Sequence, residues 1–204
     1  IDMTPRHTLG IFALIAKIDM TPRHTLGIFA LIATSLGSVS GATLEKLTTD
    51  DLVQKSTDIV RAKVISSSTS YRGTAGRGGM IYTHYTLQIV ERWKGLDGVR
   101  MDLAVPGGTV GNIRQTFPGA PTLEPNIEYV FFLWTSRTGL TQIMGLSQGL
   151  LTEKVDASGA TILYRNASAE PMVDSAGTPV TDSGFRLPLA AFRTTMQSYG
   201  LASK

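Results

Sequence analysis

The sequence predicts a mainly β domain, a small and partly open barrel with a short helix at each end. Three observations carry this prediction. A two-residue hydrophobic period recurs in several short segments, Gly- and Pro-rich turns separate these segments, and helical periodicity is confined to the two ends. Short strands at close spacing are typical of small barrels and sandwiches. We assign residues 43–204 to this single domain, which is long enough to have its own core.

The elements are predicted in chain order from capping residues and from the hydrophobic period. Thr48 and the two aspartates that follow it favour a short helix near residues 48–55. Pro188 opens the last helix, near residues 188–199. The Ser-, Thr- and Gly-rich stretch 66–80 is predicted to be an exposed loop that could contact ligands. Strands are predicted at residues 58–65, 81–94, 99–105, 110–116, 127–134, 140–144, 150–155 and 161–164.

The apolar faces of these elements predict the core. Residues 127–134 are almost continuously apolar, which is typical of a central strand that is covered on both sides. The other core positions follow the alternation of the strands and one face of the last helix. The predicted core residues are Val60, Ala62, Val64, Ile81, Tyr85, Leu87, Ile89, Met101, Leu103, Val130, Phe132 and Phe192.

A duplicated leader precedes the domain. Residues 1–16 recur letter for letter at residues 18–33, which indicates a cloning scar or a recent duplication rather than a structural repeat. We assign residues 1–17 to the redundant copy and residues 18–42 to a signal peptide, because a basic start, an apolar run and small residues follow one another. The expected product begins at Thr43 and is exported by a bacterium, to the periplasm or the outside. A retained leader that contacts a membrane or a neighbouring subunit is the alternative.

The inventory of reactive side chains argues against an enzyme. The chain has no cysteine, which excludes disulfides, thiol catalysis and cysteine metal sites. His84 is the only histidine after the leader, so a three-histidine zinc site is excluded as well. Residues 145–149 match Gly-x-Ser-x-Gly in letters, but a strand-like run follows them, and we predict a turn. We therefore expect no catalytic residues, no metal and no cofactor.

The remaining polar and aromatic side chains suggest binding. The net charge is +3 and the charges are scattered, so we expect no nucleic-acid partner. Exposed aromatic rings offer stacking surfaces for a sugar or a protein, although such rings also pack in cores and His84 also suits a solvated cross-strand position. The candidate binding residues are Tyr71, Arg72, Arg77, Tyr82, His84 and Trp93.

The segment Ser56–Val64 resembles the opening strand of netrin-like domains and tissue inhibitors of metalloproteinases, with Tyr85–Gly95 as the following strand. The chain also resembles a group of secreted bacterial proteins of unknown function, through Pro106–Gly108 and the strand YVFFLW. The resemblance to netrin-like domains implies a barrel of the oligonucleotide/oligosaccharide-binding (OB) type. It does not imply protease inhibition, because those inhibitors act through an N-terminal cysteine and this chain has none.

Three functions stay open at this point. The first is a non-catalytic extracellular module that binds a protein or a glycan. The second is a structural subunit that assembles with itself outside the cell, since low charge and the apolar-rich segment 140–151 leave strand edges that can pair. The third is a protease-inhibitor-like domain, which rests on the resemblance alone.

Overall fold

A computed structural model of the chain describes residues 43–73 and 78–204. The predicted leader, residues 1–42, and the candidate Arg77 lie outside the described residues. The mainly β prediction is confirmed, with a helix near each end of the domain. The strands are β1 (Leu44–Glu45), β2 (Asp58–Arg72), β3 (Met80–Lys94), β4 (Arg100–Pro106), β5 (Gly108–Val110), β6 (Ile113–Gln115), β7 (Glu128–Thr135), β8 (Thr141–Ile143), β9 (Leu150–Val155), β10 (Thr161–Arg165), β11 (Met172–Val173), β12 (Pro179–Val180) and β13 (Phe185–Pro188). The helices are α1 (Thr49–Lys55) and α2 (Leu189–Ser198).

One 8-stranded sheet forms the domain, in the order β13-β10-β9-β7-β2-β3-β4, with β8 paired to β7. Two small sheets, β1-β11-β12 and β5-β6, accompany it. The sheet curls enough for β4 to pack beside β8. No ladder closes it among the described residues, so this sheet is open rather than a closed barrel.

The loop predicted at residues 66–80 is wrong, because most of this stretch belongs to the hairpin formed by β2 and β3. Residues 66–72 continue β2 and pair antiparallel with residues 80–86 of β3. A register shift separates Val64 from Ser66, and beyond it every residue of β2 is exposed. The side chains of β2 at this end lie outside the core, so this stretch of β2 needs no apolar side and lacks the alternation by which strands are recognised.

Ten of the twelve predicted core residues are buried, and Ile89 and Met101 are partly buried at the edge of the core. The core consists of two clusters on opposite faces of the sheet. One cluster lies inside the curl and contains Val60, Tyr85 and Leu103. The other lies between the sheet and the two helices and contains Phe132 and Phe192. Successive residues of β7 alternate between the two clusters, which confirms that this strand is central and covered on both sides.

Both helices begin as predicted. Thr48 caps α1 in a capping box, in which its hydroxyl accepts from the Asp51 amide at 3.1 Å and the Asp51 carboxylate accepts from Thr48. Pro188 precedes α2. The Tyr199 hydroxyl at the end of α2 donates to Asp50 at the start of α1. The helices are thereby joined over the second core cluster.

Candidate functional site

Polar side chains cover one face of the β2–β3–β4 end of the sheet. Cross-strand partners share a face, and the register pairs Ser68 with His84 and Ser66 with Thr86. On β4, Asp102 pairs with Thr86 and lies beside it on the same face. We call this surface the serine face, and it consists of Ser66, Ser68, Ser70, Tyr82, His84, Thr86 and Asp102.

The serine face is ordered by a few hydrogen bonds between its own side chains. Ser70 Oγ lies 2.9 Å from His84 Nε2, and the Thr86 hydroxyl donates to Asp102 at 3.1 Å. The rings of Tyr82 and His84 lie 6.3 Å apart, measured between centroids, and are tilted by 46°. An open depression of about 520 Å³ lies beside His84 and is lined by Ser66, Ser67, Ser68, Thr86 and Asp102. The face therefore combines two aromatic rings with small hydroxyls on paired backbone.

Three of the predicted site residues lie on this side of the hairpin. Tyr82 and His84 belong to the serine face, and the register places Arg72 on the same side, opposite Met80. Tyr71 lies on the other side of the hairpin. Its hydroxyl accepts from the Gly79 amide at 2.9 Å and its ring lies against that glycine, so it holds the hairpin end together.

Trp93 is not part of this surface, and its assignment as an exposed binding residue is corrected. It is 5% exposed and packs edge-on against Phe192, with 5.1 Å between ring centroids. The physical reason is that α2 covers this part of the sheet, on the side to which a bulge in β3 turns Trp93. Ala62 pairs with Ile89, but Arg61 pairs with Glu91, so Val90 is an extra residue in the ladder. An extra residue reverses the face of those that follow, and Trp93 turns toward α2.

The Gly-x-Ser-x-Gly segment is the predicted turn, between β8 and β9. Its buried polar side chain is Gln148, which is 3% exposed. The Gln148 side chain donates to the Glu45 carbonyl at 2.9 Å and accepts from the Leu47 amide at 2.8 Å. No helix follows Ser147, so this serine does not stand on the strand-to-helix turn that exposes a nucleophile. The two hydrogen bonds of Gln148 connect residues 45–47, at the start of the domain, to the segment between β8 and β9.

Two further findings concern the described part of the chain. Within residues 43–73 and 78–204, no three His, Asp or Glu side chains converge as a metal-binding group. In the same residues, neither helix has the length and apolarity needed to span a bilayer. No family model, curated protein or solved structure matches the chain.

Proposed function

We propose that this protein is a secreted, non-catalytic binding module that recognises an extracellular protein or glycan through the serine face. One observation carries the proposal. The serine face presents hydroxyls that are not used to hold the fold, since the Ser66 and Ser68 side chains make no hydrogen bond within the described residues. These hydroxyls are available to a partner.

The composition of the face favours recognition of a large ligand. Tyr and His offer rigid rings with a polar tip, and serines offer adaptable hydrogen bonds at little cost in side-chain entropy. Both strands are paired along this segment. A rigid backbone loses little freedom on binding, which is what pre-organisation contributes to affinity.

The proposal includes a partly open, netrin-like barrel of the OB type and export directed by residues 18–42. The meander β2–β3–β4, the pairing of β2 with β7 and the approach of β4 to β8 support the barrel. Barrels of this type bind ligands on the face of their second and third strands. In this chain those strands are β3 and β4, which carry His84 and Asp102.

The experiment compares the purified protein with a double variant, Tyr82→Ser with His84→Ser, on arrays of polysaccharides and of extracellular proteins. Val155→Ser is the control, since Val155 is 63% exposed on β9, away from the serine face. We expect saturable binding that falls at least tenfold in the double variant, because buried aromatic anchors dominate interfaces. Equal binding by the double variant and the control, or no ligand for the unaltered protein, would overturn the proposal.

A second candidate function is a subunit that polymerises outside the cell. Strands β4 and β13 form the two edges of the large sheet, and β4 contains no lysine. Edges with few lysines are open to pairing with another chain. Light scattering over a concentration series separates the two functions: open-ended polymers favour the subunit, and a concentration-independent monomer eliminates spontaneous self-assembly.

A further inference from the structure

A second concave site lies on the opposite face of β3 from the serine face. It is a cleft of about 300 Å³ between the turn 106–109 and the loop 114–122, with Thr83, Tyr85 and Val105 among its lining residues. The two Gly- and Pro-rich segments that the sequence predicted only as turns meet here. Volumes of this size are at the lower end of the range for small-molecule sites.

One wall of the cleft is the small hairpin β5–β6, and it is fixed to the large sheet. The Thr83 hydroxyl donates to the Gly107 carbonyl at 2.8 Å, and the Thr69 hydroxyl donates to the Thr109 carbonyl at 2.7 Å. A Cβ on Gly108 would lie 2.8 Å from the Thr83 hydroxyl oxygen, so only glycine permits this approach. A two-stranded hairpin is marginally stable alone, and these contacts hold it as a rigid wall.

The cleft contains one charged side chain and several hydroxyls that can still form hydrogen bonds. Arg114 is its only charged lining residue, and no carboxylate in the described part of the chain lies within 4.0 Å of it. The hydroxyls of Thr116 and Thr122 make no hydrogen bond there either. Tyr85 is 6% exposed, and its hydroxyl accepts from the Leu123 amide at 3.4 Å but finds no acceptor for its own proton among the described residues.

We propose that this cleft binds one carboxylate-bearing sugar unit of an acidic polysaccharide. The planar guanidinium of Arg114 matches a carboxylate with two parallel hydrogen bonds. The hydroxyls of Tyr85, Thr116 and Thr122 pair with ring hydroxyls, and the Phe117 ring covers the apolar side of the sugar. This site does not depend on the function proposed for the serine face.

Other anions fit the cleft less well. A phosphate group carries more charge and is usually held by several cations or by a helix N-terminus, whereas this cleft offers one guanidinium. The C-terminal carboxylate of a peptide would also pair with Arg114, but a sugar unit presents several hydroxyl groups at once to the hydroxyls of Tyr85, Thr116 and Thr122.

The test is a calorimetric titration of the purified protein with tri-galacturonate. Its uncharged methyl ester and a short peptide with a free C-terminus serve as the comparison ligands. Arg114→Gln removes the charge and keeps a polar side chain, and Arg137→Gln is the control at an exposed arginine outside the cleft. Thr116→Val tests a hydroxyl without changing the charge, and thermal unfolding of each variant verifies its fold.

We expect saturable binding of tri-galacturonate that is about tenfold to a hundredfold weaker in Arg114→Gln, the loss typical of a charge-assisted hydrogen-bonded pair. Arg137→Gln should bind as the unaltered protein does, and Thr116→Val should bind several-fold more weakly. The methyl ester should bind at least tenfold more weakly. Equal affinity for the ester, equal loss in Arg137→Gln, tighter binding of the peptide, or no saturation at millimolar ligand would each overturn the proposal.

Discussion

Replacing Phe132 by Ala should lower the free energy of unfolding by about 3–5 kcal/mol, the range for a buried phenylalanine. Phe132 is 2% exposed, and its ring meets Phe192 edge-on with 6.0 Å between centroids. Such a contact contributes about 0.5–1.5 kcal/mol beyond burial. Phe192 also packs against Trp93, which limits how far it can move to fill the cavity. We therefore expect the upper half of the range, about 4–5 kcal/mol.

The assay uses urea unfolding followed by tryptophan fluorescence. The chain has 2 tryptophans, so a Trp134→Phe background leaves Trp93 as the reporter, and Trp93 lies in the same cluster as Phe132. The matched control carries Ala in place of Phe at position 134 of this background, because that position lies two residues further along β7 and the native Trp134 is 44% exposed. The control should change stability by less than about 1 kcal/mol. A loss below about 2 kcal/mol for Phe132→Ala would refute the packing described for β7 and α2.

Two other substitutions test local features. Asp182→Asn should cost about 3–5 kcal/mol near neutral pH, because the buried guanidinium of Arg165 loses its carboxylate partner. Arg165 holds the pKa of Asp182 well below its usual range, so this stability is present above the unfolded pKa of about 3.9 and is lost on acidification. The stability gap to the unaltered protein in urea unfolding should shrink below about pH 4, and a constant gap would contradict this. Gly108→Ala should lower the stability measured by thermal unfolding by about 1–3 kcal/mol, more than Gly111→Ala does. Both glycines have positive φ, but only a Cβ on Gly108 would meet Thr83. Equal losses in the two variants would count against this close approach.

The parts of the fold that the sequence predicts well are those in which side-chain pattern and burial agree. The continuous apolar run of β7 is covered on both faces, and Thr48 caps α1 by a local rule. The far end of the β2–β3 hairpin is held by backbone pairing and a few polar side-chain contacts, and no apolar side chain of β2 is buried there. Its serines leave no pattern that separates a strand from a loop, and the prediction at residues 66–80 was wrong for that reason.

The candidate site was predictable only in part, because bulges and long-range contacts decide which side chains meet. Tyr82 and His84 follow simple alternation and lie on one polar face. Trp93 was misplaced, since the packing of α2 against this part of the sheet is a long-range contact that the alternation within β3 does not reveal. Arg114 joins Thr83 in the cleft only because the hairpin β5–β6 folds back over β3.

Strand β2 consists of a part that stabilises the fold and a part that contributes to the serine face. Before the register shift after Val64, residues of β2 such as Val60 and Ala62 are fully buried and support the fold. Beyond the shift, β2 touches solvent on both sides, and its side chains contribute little burial energy. Substitutions of the β2 serines on the serine face can therefore alter binding while the stability of the protein stays nearly constant. The cleft differs, because Gly108 and Thr83 both shape it and fix its wall, and changes there should affect binding and stability together.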